Sequence, residues 1–221
     1  MFKTEGYITV IGETEAEYTE KRSRFIATLK HCETEEEAAE FINALKSKYW
    51  DARHNCYAYS VENGALKRFS DDGEPHGTAG KPILSVIEGA GITNLCIVVT
   101  RYFGGVLLGT GGLVRAYTKA ASDAAAKIAK AVMTPGTVFS AECDYSAAER
   151  LEKLISDAGG SVENTVYAEN VRYEFFISDT EKQKFTERLK EVFCARIAAE
   201  EIKNEARPVE IKLKWKGNIK Y

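Results

Sequence analysis

The chain has 221 residues, 29% of them charged, and a net charge of −3. This excludes a disordered or fibrous protein and leaves room for one large domain or two ordinary ones. The overall charge gives no sign of nucleic-acid binding, which would have to rest on a local basic patch.

The five cysteines, Cys32, Cys56, Cys96, Cys143 and Cys194, are odd in number and scattered, and no C-x-x-C occurs. That predicts reduced thiols in a cytosol and not a disulfide framework. The start, M-F-K-T-E-G-Y, carries no apolar signal region. No run approaches the roughly 18 apolar residues of a membrane span. These features predict a soluble cytoplasmic protein without a membrane partner.

Gly6 to Ile11 reads as a short strand, followed by a charged segment. Ser23 to Leu29 is a second strand candidate. Before it, Lys21, Arg22 and Arg24 surround Ser23 and mark either a solvated edge or a basic part of a binding face. Thr34 to Tyr49 predicts a helix: Thr34 can cap it, Glu37 lies three residues on, and Ala38, Phe41, Ile42 and Leu45 form an apolar stripe. Asn55 to Val61 alternates and reads as a strand.

Ser70 to Pro82, S-D-D-G-E-P-H-G-T-A-G-K-P, holds three glycines, two prolines and clustered acids, so a regular element is not expected there. Its length and polar density suit a functional loop. Asp71, Asp72 and Glu74 are oxygen ligands of the kind magnesium takes, but D-D-G-E lacks the spacing of a calcium loop, and no metal is expected. The carboxylates can instead pair with Arg53, Arg101 or Arg115. A short helix is predicted over Ile83 to Ala90.

Leu95 to Val99 reads as a buried strand. It leads into T-R-Y-F-G-G-V-L-L-G-T-G-G-L-V-R-A-Y, with five glycines in the nine positions 104–112. This predicts a strand, a glycine turn and a helix start whose bare amides, with Arg101 and Arg115 on either side, can hold an anion. A plain turn packing a helix close to a sheet accounts for the same letters. Neither G-x-x-x-x-G-K-[ST] nor G-x-G-x-x-G is present. From Leu113 onward, Ala116, Tyr117, Ala120, Ala121, Ala124, Ala125 and Ile128 recur at helical spacing and predict a core stripe.

Pro135 and Gly136 punctuate the chain, and the domain boundary is placed there, giving domains 1–134 and 135–221. These carry 16 basic against 17 acidic residues and 14 against 16, so neither is a basic arm. The second part reads as strand Thr137–Tyr145, helix Ala147–Ala158, strands Ser161–Ala168 and Asn170–Ser178, and helix Thr180–Phe193. A last strand lies within 197–214, with a split near Arg207 and Pro208. This is the ferredoxin-like β-α-β-β-α-β order. The basic tail with Trp215 and Tyr221 suits either single-stranded nucleic acid or a lysine-guarded edge strand.

Three blocks, Ala52 to Tyr59 (A-R-H-N-C-Y-A-Y), Ser70 to Leu84 and Val98 to Tyr117, resemble the Impact family, also called the YigZ or UPF0029 family; Lys21 to Ile26 (K-R-S-R-F-I) fits its N-terminal block. The resemblance implies an α+β protein of two domains. The first would be like the second domain of ribosomal protein S5, and the second ferredoxin-like and similar to the last domain of elongation factor G. Eukaryotic relatives regulate translation under stress by competing for a protein that activates an initiation-factor kinase. The resemblance therefore implies a translation-linked binding protein whose partner is RNA, the ribosome or a protein of that machinery.

The residues expected to form its binding face are Arg53, His54, Asp71, Asp72, Glu74 and Lys81, with Arg101, Tyr102, Gly104, Gly105, Gly109, Gly111, Gly112 and Arg115. No catalytic residue and no cofactor is assigned. The alternative is an enzyme acting on a phosphorylated small molecule or nucleotide through the glycine-rich loop, as small-molecule kinases of the S5-like fold do. It would need Asp71, Asp72 or Glu74 for magnesium and His54 or His76 as acid or base.

Overall fold

A computed structural model of the chain describes residues 6–193, 197 and 199–210. Two compact units are present, Tyr7–Val132 and Met133–Val209.

The first unit is built on a sheet of five strands: β2 (Glu13–Glu20), β3 (Ser23–His31), β4 (His54–Val61), β5 (Leu66–Ser70) and β6 (Leu95–Tyr102). Their order is β2-β3-β6-β4-β5, with every neighbouring pair antiparallel. A further strand, β1 (Tyr7–Ile11), precedes them, and Thr9 Oγ1 bonds His31 Nδ1 at 3.0 Å. The sheet is covered on both faces, which is why its central strand reads as an unbroken apolar run. Leu95, Ile97 and Val99 of β6 face a core shared with Ile83, Val86 and Ile87 of α2 (Gly80–Ala90) and the alanine stripe of α3 (Gly109–Lys127). Cys96 and Val98 face the opposite way, against Ala38, Phe41, Ile42 and Leu45 of α1 (Glu35–Lys48). Each large aliphatic side chain buried this way contributes about 1.5–3 kcal/mol. Thr34 caps α1, accepting from the Glu37 amide at 3.3 Å, while the Glu37 carboxylate accepts from the Glu33 amide at 2.7 Å.

Three local expectations are corrected. The charged segment after β1 is strand β2. Its glutamates 13, 15 and 17 are exposed while Ala16 is buried, and the β2–β3 turn puts Lys21 and Arg22 at φ 45° and 67°, the geometry of a tight hairpin without its usual Asn-Gly. Strand β5 carries no signal in the sequence: its burial pattern is mostly exposed, so no apolar alternation marks it. Helix α2 begins at Gly80, inside the expected loop. Pro82 sits in its first turn, where a missing N–H costs nothing.

From Met133 the second unit follows the order β7 (Ala129–Cys143, which begins in the first unit), α4 (Tyr145–Asp157), β8 (Ser161–Tyr167), β9 (Val171–Ser178), α5 (Asp179–Phe193) and β10 (Ala199–Glu210, whose last residue is outside the unit). Strand β9 lies between β7 and β8, antiparallel to both, and β10 pairs on the other side of β7. This is the ferredoxin-like arrangement. Phe139, Phe175 and Phe185 meet in its core, with ring centroids 5.4–6.0 Å apart. Pro135 and Gly136 do not turn the chain: both lie within β7. Gly136 is needed there because a Cβ would run into the Phe176 ring and the Ile177 carbonyl. Strand β10 continues through Arg207 and Pro208 without a split. Trp215, Tyr221 and Cys194 lie outside the described residues. The four described cysteines are free and buried. Among the described residues no helix is long and apolar enough to cross a membrane.

Candidate functional site

The site is laid out by strand register. On β4 and β6, His54 lies opposite Arg101. The segment after β5 passes over that end of the sheet, and the Arg101 guanidinium donates through Nη1 to Glu74 Oε1. Glu74 and Arg101 keep only 3% and 6% of their side-chain surface exposed. Tyr117 of α3 donates its hydroxyl to the same carboxylate oxygen at 2.8 Å, and Cys56 Sγ lies 3.4 Å from that hydroxyl. Burial, and then the neighbouring Cys56 and Glu74, push the Tyr117 hydroxyl far above its usual range. The Cys56 thiol is likewise pushed up, chiefly by burial. Neither ionises readily, and both act as hydrogen-bond donors beneath the carboxylate.

Arg101 is held on its other sides as well. Its Nη2 reaches Ser23 Oγ at 3.4 Å, and its guanidinium carbon lies 5.5 Å from the Phe25 ring and 5.6 Å from Phe103. Nε is buried without a partner. His54 Nδ1 lies 2.8 Å from the Asp72 carbonyl oxygen. A carbonyl can only accept, so Nδ1 carries the hydrogen, and in the neutral ring Nε2 is left with a lone pair. Nε2 stands 3.9 Å from Glu74 Oε1.

These groups floor an open cleft of about 400 Å³. Its apolar walls come from Pro75, Phe103, Leu107, Leu108 and Leu113; Arg53, His54, Glu74, Arg101 and Thr110 supply its polar groups. Arg53 is exposed at the rim, its guanidinium carbon 5.8 Å from the Phe103 ring centre.

The residues singled out in the sequence divide. Arg53, His54, Glu74, Arg101 and Gly109 line the cleft together. Asp71 and Asp72 are engaged internally. Asp71 accepts from the amides of Gly77, Ala79 and Gly80 at 2.8–3.0 Å, tying the loop to the start of α2. Burial pushes its carboxyl up, but those three donors outweigh it and hold it below the usual range. Asp72 accepts from the Asn55 amide at 2.7 Å and from Lys46 at 2.9 Å. Among the described residues no cluster of acids, histidines or cysteines could hold a metal. Tyr102 points elsewhere, donating to Asp51 at 2.8 Å. Lys81 is exposed on α2, beside a shallow groove with Val114 and Thr118.

The five glycines do not form one bare floor. Gly104 is a packing residue: its amide donates to Ser23 Oγ at 3.2 Å, and a Cβ would overlap the Arg22 backbone. Gly105 and Gly109 take left-handed φ of 83° and 71° in open space. Gly111 and Gly112 belong to the first turn of α3, which carries no side-chain cap. Arg115 and Gly112 line a separate hollow, with Lys21 and Lys119. Ser23, Phe103 and Tyr117 were not anticipated as site residues. A lone serine among bases, an exposed phenylalanine and a single tyrosine in an alanine stripe are the only traces they leave in the sequence.

Residues 21–125 match the Impact N-terminal domain, and residues 142–196 match a domain of unknown function, DUF1949. IMPACT family member YvyE of Bacillus subtilis (strain 168) is 38% identical over 187 residues, covering 84% of this chain and 86% of the relative. IMPACT family member YigZ of Escherichia coli (strain K12) is 39% identical over 150 residues, 66% of this chain and 74% of that one. The Protein IMPACT homolog of Dictyostelium discoideum is 41% identical over 96 residues, 41% of this chain and 27% of its own length. A crystal structure of an hypothetical protein superposes with a TM-score of 0.60 at 32% identity, covering 90% of this chain and 98% of that one. Two family domains in sequence, and relatives matched over most of their length, establish that the chain belongs to the IMPACT family.

Proposed function

We propose that the chain is a translation-linked binding protein, with its contact surface around the cleft and the start of α3 in domain 1–134 and with 135–221 as a second domain. One observation carries this reading. Arg53 lines the cleft with Gly109 and Thr110 of the uncapped first turn of α3, and Arg115 lines a neighbouring hollow with Gly112 of the same turn. Both are exposed, and neither has a carboxylate partner among the described residues. Guanidinium groups without a carboxylate partner, beside unpaired helix-start amides, are suited to phosphate. Such contacts give affinity that falls with salt. The direction toward translation comes from the family's eukaryotic relatives. RNA, as free strand or within the ribosome, is favoured by the two cations.

The test is co-sedimentation with ribosomes on a gradient, joined to a salt titration against RNA. Comigration and a salt-dependent affinity are expected. No association with ribosomes and no RNA bound at low salt would remove the reading. A pull-down with and without nuclease separates an RNA contact from a protein contact.

One observation favours a second reading, an enzyme acting on a nucleotide or phosphorylated small molecule. The fixed tautomer of His54 leaves Nε2 beside the cleft as a proton acceptor. Asp71, Asp72 and Glu74, the carboxylates a kinase would need for magnesium, are already engaged, which weighs against a kinase. Turnover of a nucleotide by the wild-type protein, absent in His54→Gln, would carry this reading.

A further inference from the structure

The cleft has a shape and a chemistry of its own, to which Arg53 belongs and Arg115 does not. Its walls are mostly apolar, and Leu108 and Leu113 close one side. At the mouth stand two π surfaces, the Phe103 ring, 40% exposed, and the Arg53 guanidinium. At the floor lie two hydrogen-bonding groups held in place by the fold: His54, fixed by the Asp72 carbonyl, and Glu74, fixed by Arg101 and Tyr117. Arg101 neutralises Glu74, so Arg53 leaves the cleft with a net positive charge. The volume of about 400 Å³ lies in the range of small-ligand clefts, roughly 300–1,000 Å³. It is far too narrow for a duplex.

A flat body with apolar faces, polar edges and one anionic group fits these features together. We propose that the cleft takes a single unpaired nucleotide of an RNA strand. Its base lies against Phe103 and Arg53 between the apolar walls, its polar edge meets His54 and Glu74, and its phosphate meets Arg53. Stacking on an aromatic ring or a guanidinium plane is the usual way a splayed base is held. This proposal rests on the RNA form of the reading above and adds to it a base-sized pocket that requires an unpaired strand.

The experiment is fluorescence anisotropy at low salt, using labelled hexaadenylate and hexauridylate as probes and an RNA duplex of equal length as control. Phe103→Ala and Arg53→Gln are compared with wild type, and unchanged melting curves establish that both fold. The single strands are expected to bind more tightly than the duplex, and each variant to weaken them by on the order of tenfold or more. Competition by free AMP or UMP would identify the isolated nucleotide as a sufficient ligand. Loss of strand binding in the variants without such competition would assign the pocket to a strand, and both outcomes support the proposal. Duplex bound as tightly as single strands, or strand binding untouched by both variants, overturns the pocket while leaving RNA binding intact. No RNA or nucleotide bound, with ribosome co-sedimentation retained, also overturns it and points to a protein contact. Loss of co-sedimentation as well defeats the underlying reading.

Discussion

Arg101 and Glu74, separated by 27 residues in sequence, form an ion pair that is almost fully withdrawn from water. Removing one partner strands the other as a buried, unpaired charge, which costs about 3–5 kcal/mol. Glu74→Ala and Arg101→Ala should therefore each destabilise the first unit by that amount in urea denaturation. The double variant Glu74→Leu/Arg101→Met should be more stable than either, because no lone charge remains. A double variant as unstable as the sum of the two would show that the pair is not coupled.

Asp71 gives the fold an acid limit. Its carboxylate accepts three loop amides, and its carboxyl is held below the usual range. The lowered folded value means this stabilisation is fully present above the ordinary carboxylate range. It is lost as the pH falls from about 4 through the depressed value. Asp71→Asn should be less stable than wild type at neutral pH by about 1–3 kcal/mol, with the gap closing in acid. Chemical denaturation from pH 7 to pH 3 checks both parts.

The glycines of the 104–112 segment should respond in opposite ways to alanine. Gly104→Ala forces a methyl group into the Arg22 backbone and should cost at least about 1–3 kcal/mol. Gly111 is helical, and the nearest atom to an added Cβ is Arg115 Nη1 at 3.6 Å. Gly111→Ala should raise stability by about 0.5–1 kcal/mol. Thermal melts of the two variants decide it.

If RNA phosphate meets the free arginines, Arg53→Ala and Arg115→Ala should weaken RNA binding across sequences. Each should lower the slope of log affinity against log salt by about 1. Lys67→Ala serves as control, since Lys67 is paired with Glu88. An unchanged slope in both arginine variants would remove those residues from the contact.

Periodicity made α1 and the alanine stripe of α3 legible, because burial on one face writes itself into every third or fourth residue, and β6 was legible as an unbroken apolar run because both its faces are covered. Strands β2 and β5 hid for the opposite reason: they are the edges of their sheet, and one of them carries glutamate at alternate positions. Pro135 and Gly136, a pair that normally marks a turn, stand within β7, where Gly136 answers to a ring one strand away. At the site, the sequence named Arg101 and Glu74 but left three arginines open as partners. The choice is made by register, which sets His54 across from Arg101 and brings the post-β5 loop over both. Ser23 and Tyr117 reach Arg101 and Glu74 across gaps of 78 and 43 residues, and no local pattern encodes such distances.

The buried cysteines turn the protein into its own clock for opening. In the native state Cys32, Cys56, Cys96 and Cys143 are shielded, and burial raises the Cys32 thiol to about 11. An alkylating reagent can reach them only through a transient excursion. The order in which they are modified would therefore rank how often each part of the two units comes apart. Cys96, fully buried on the central strand β6, should react last, at the rate at which the first unit unfolds.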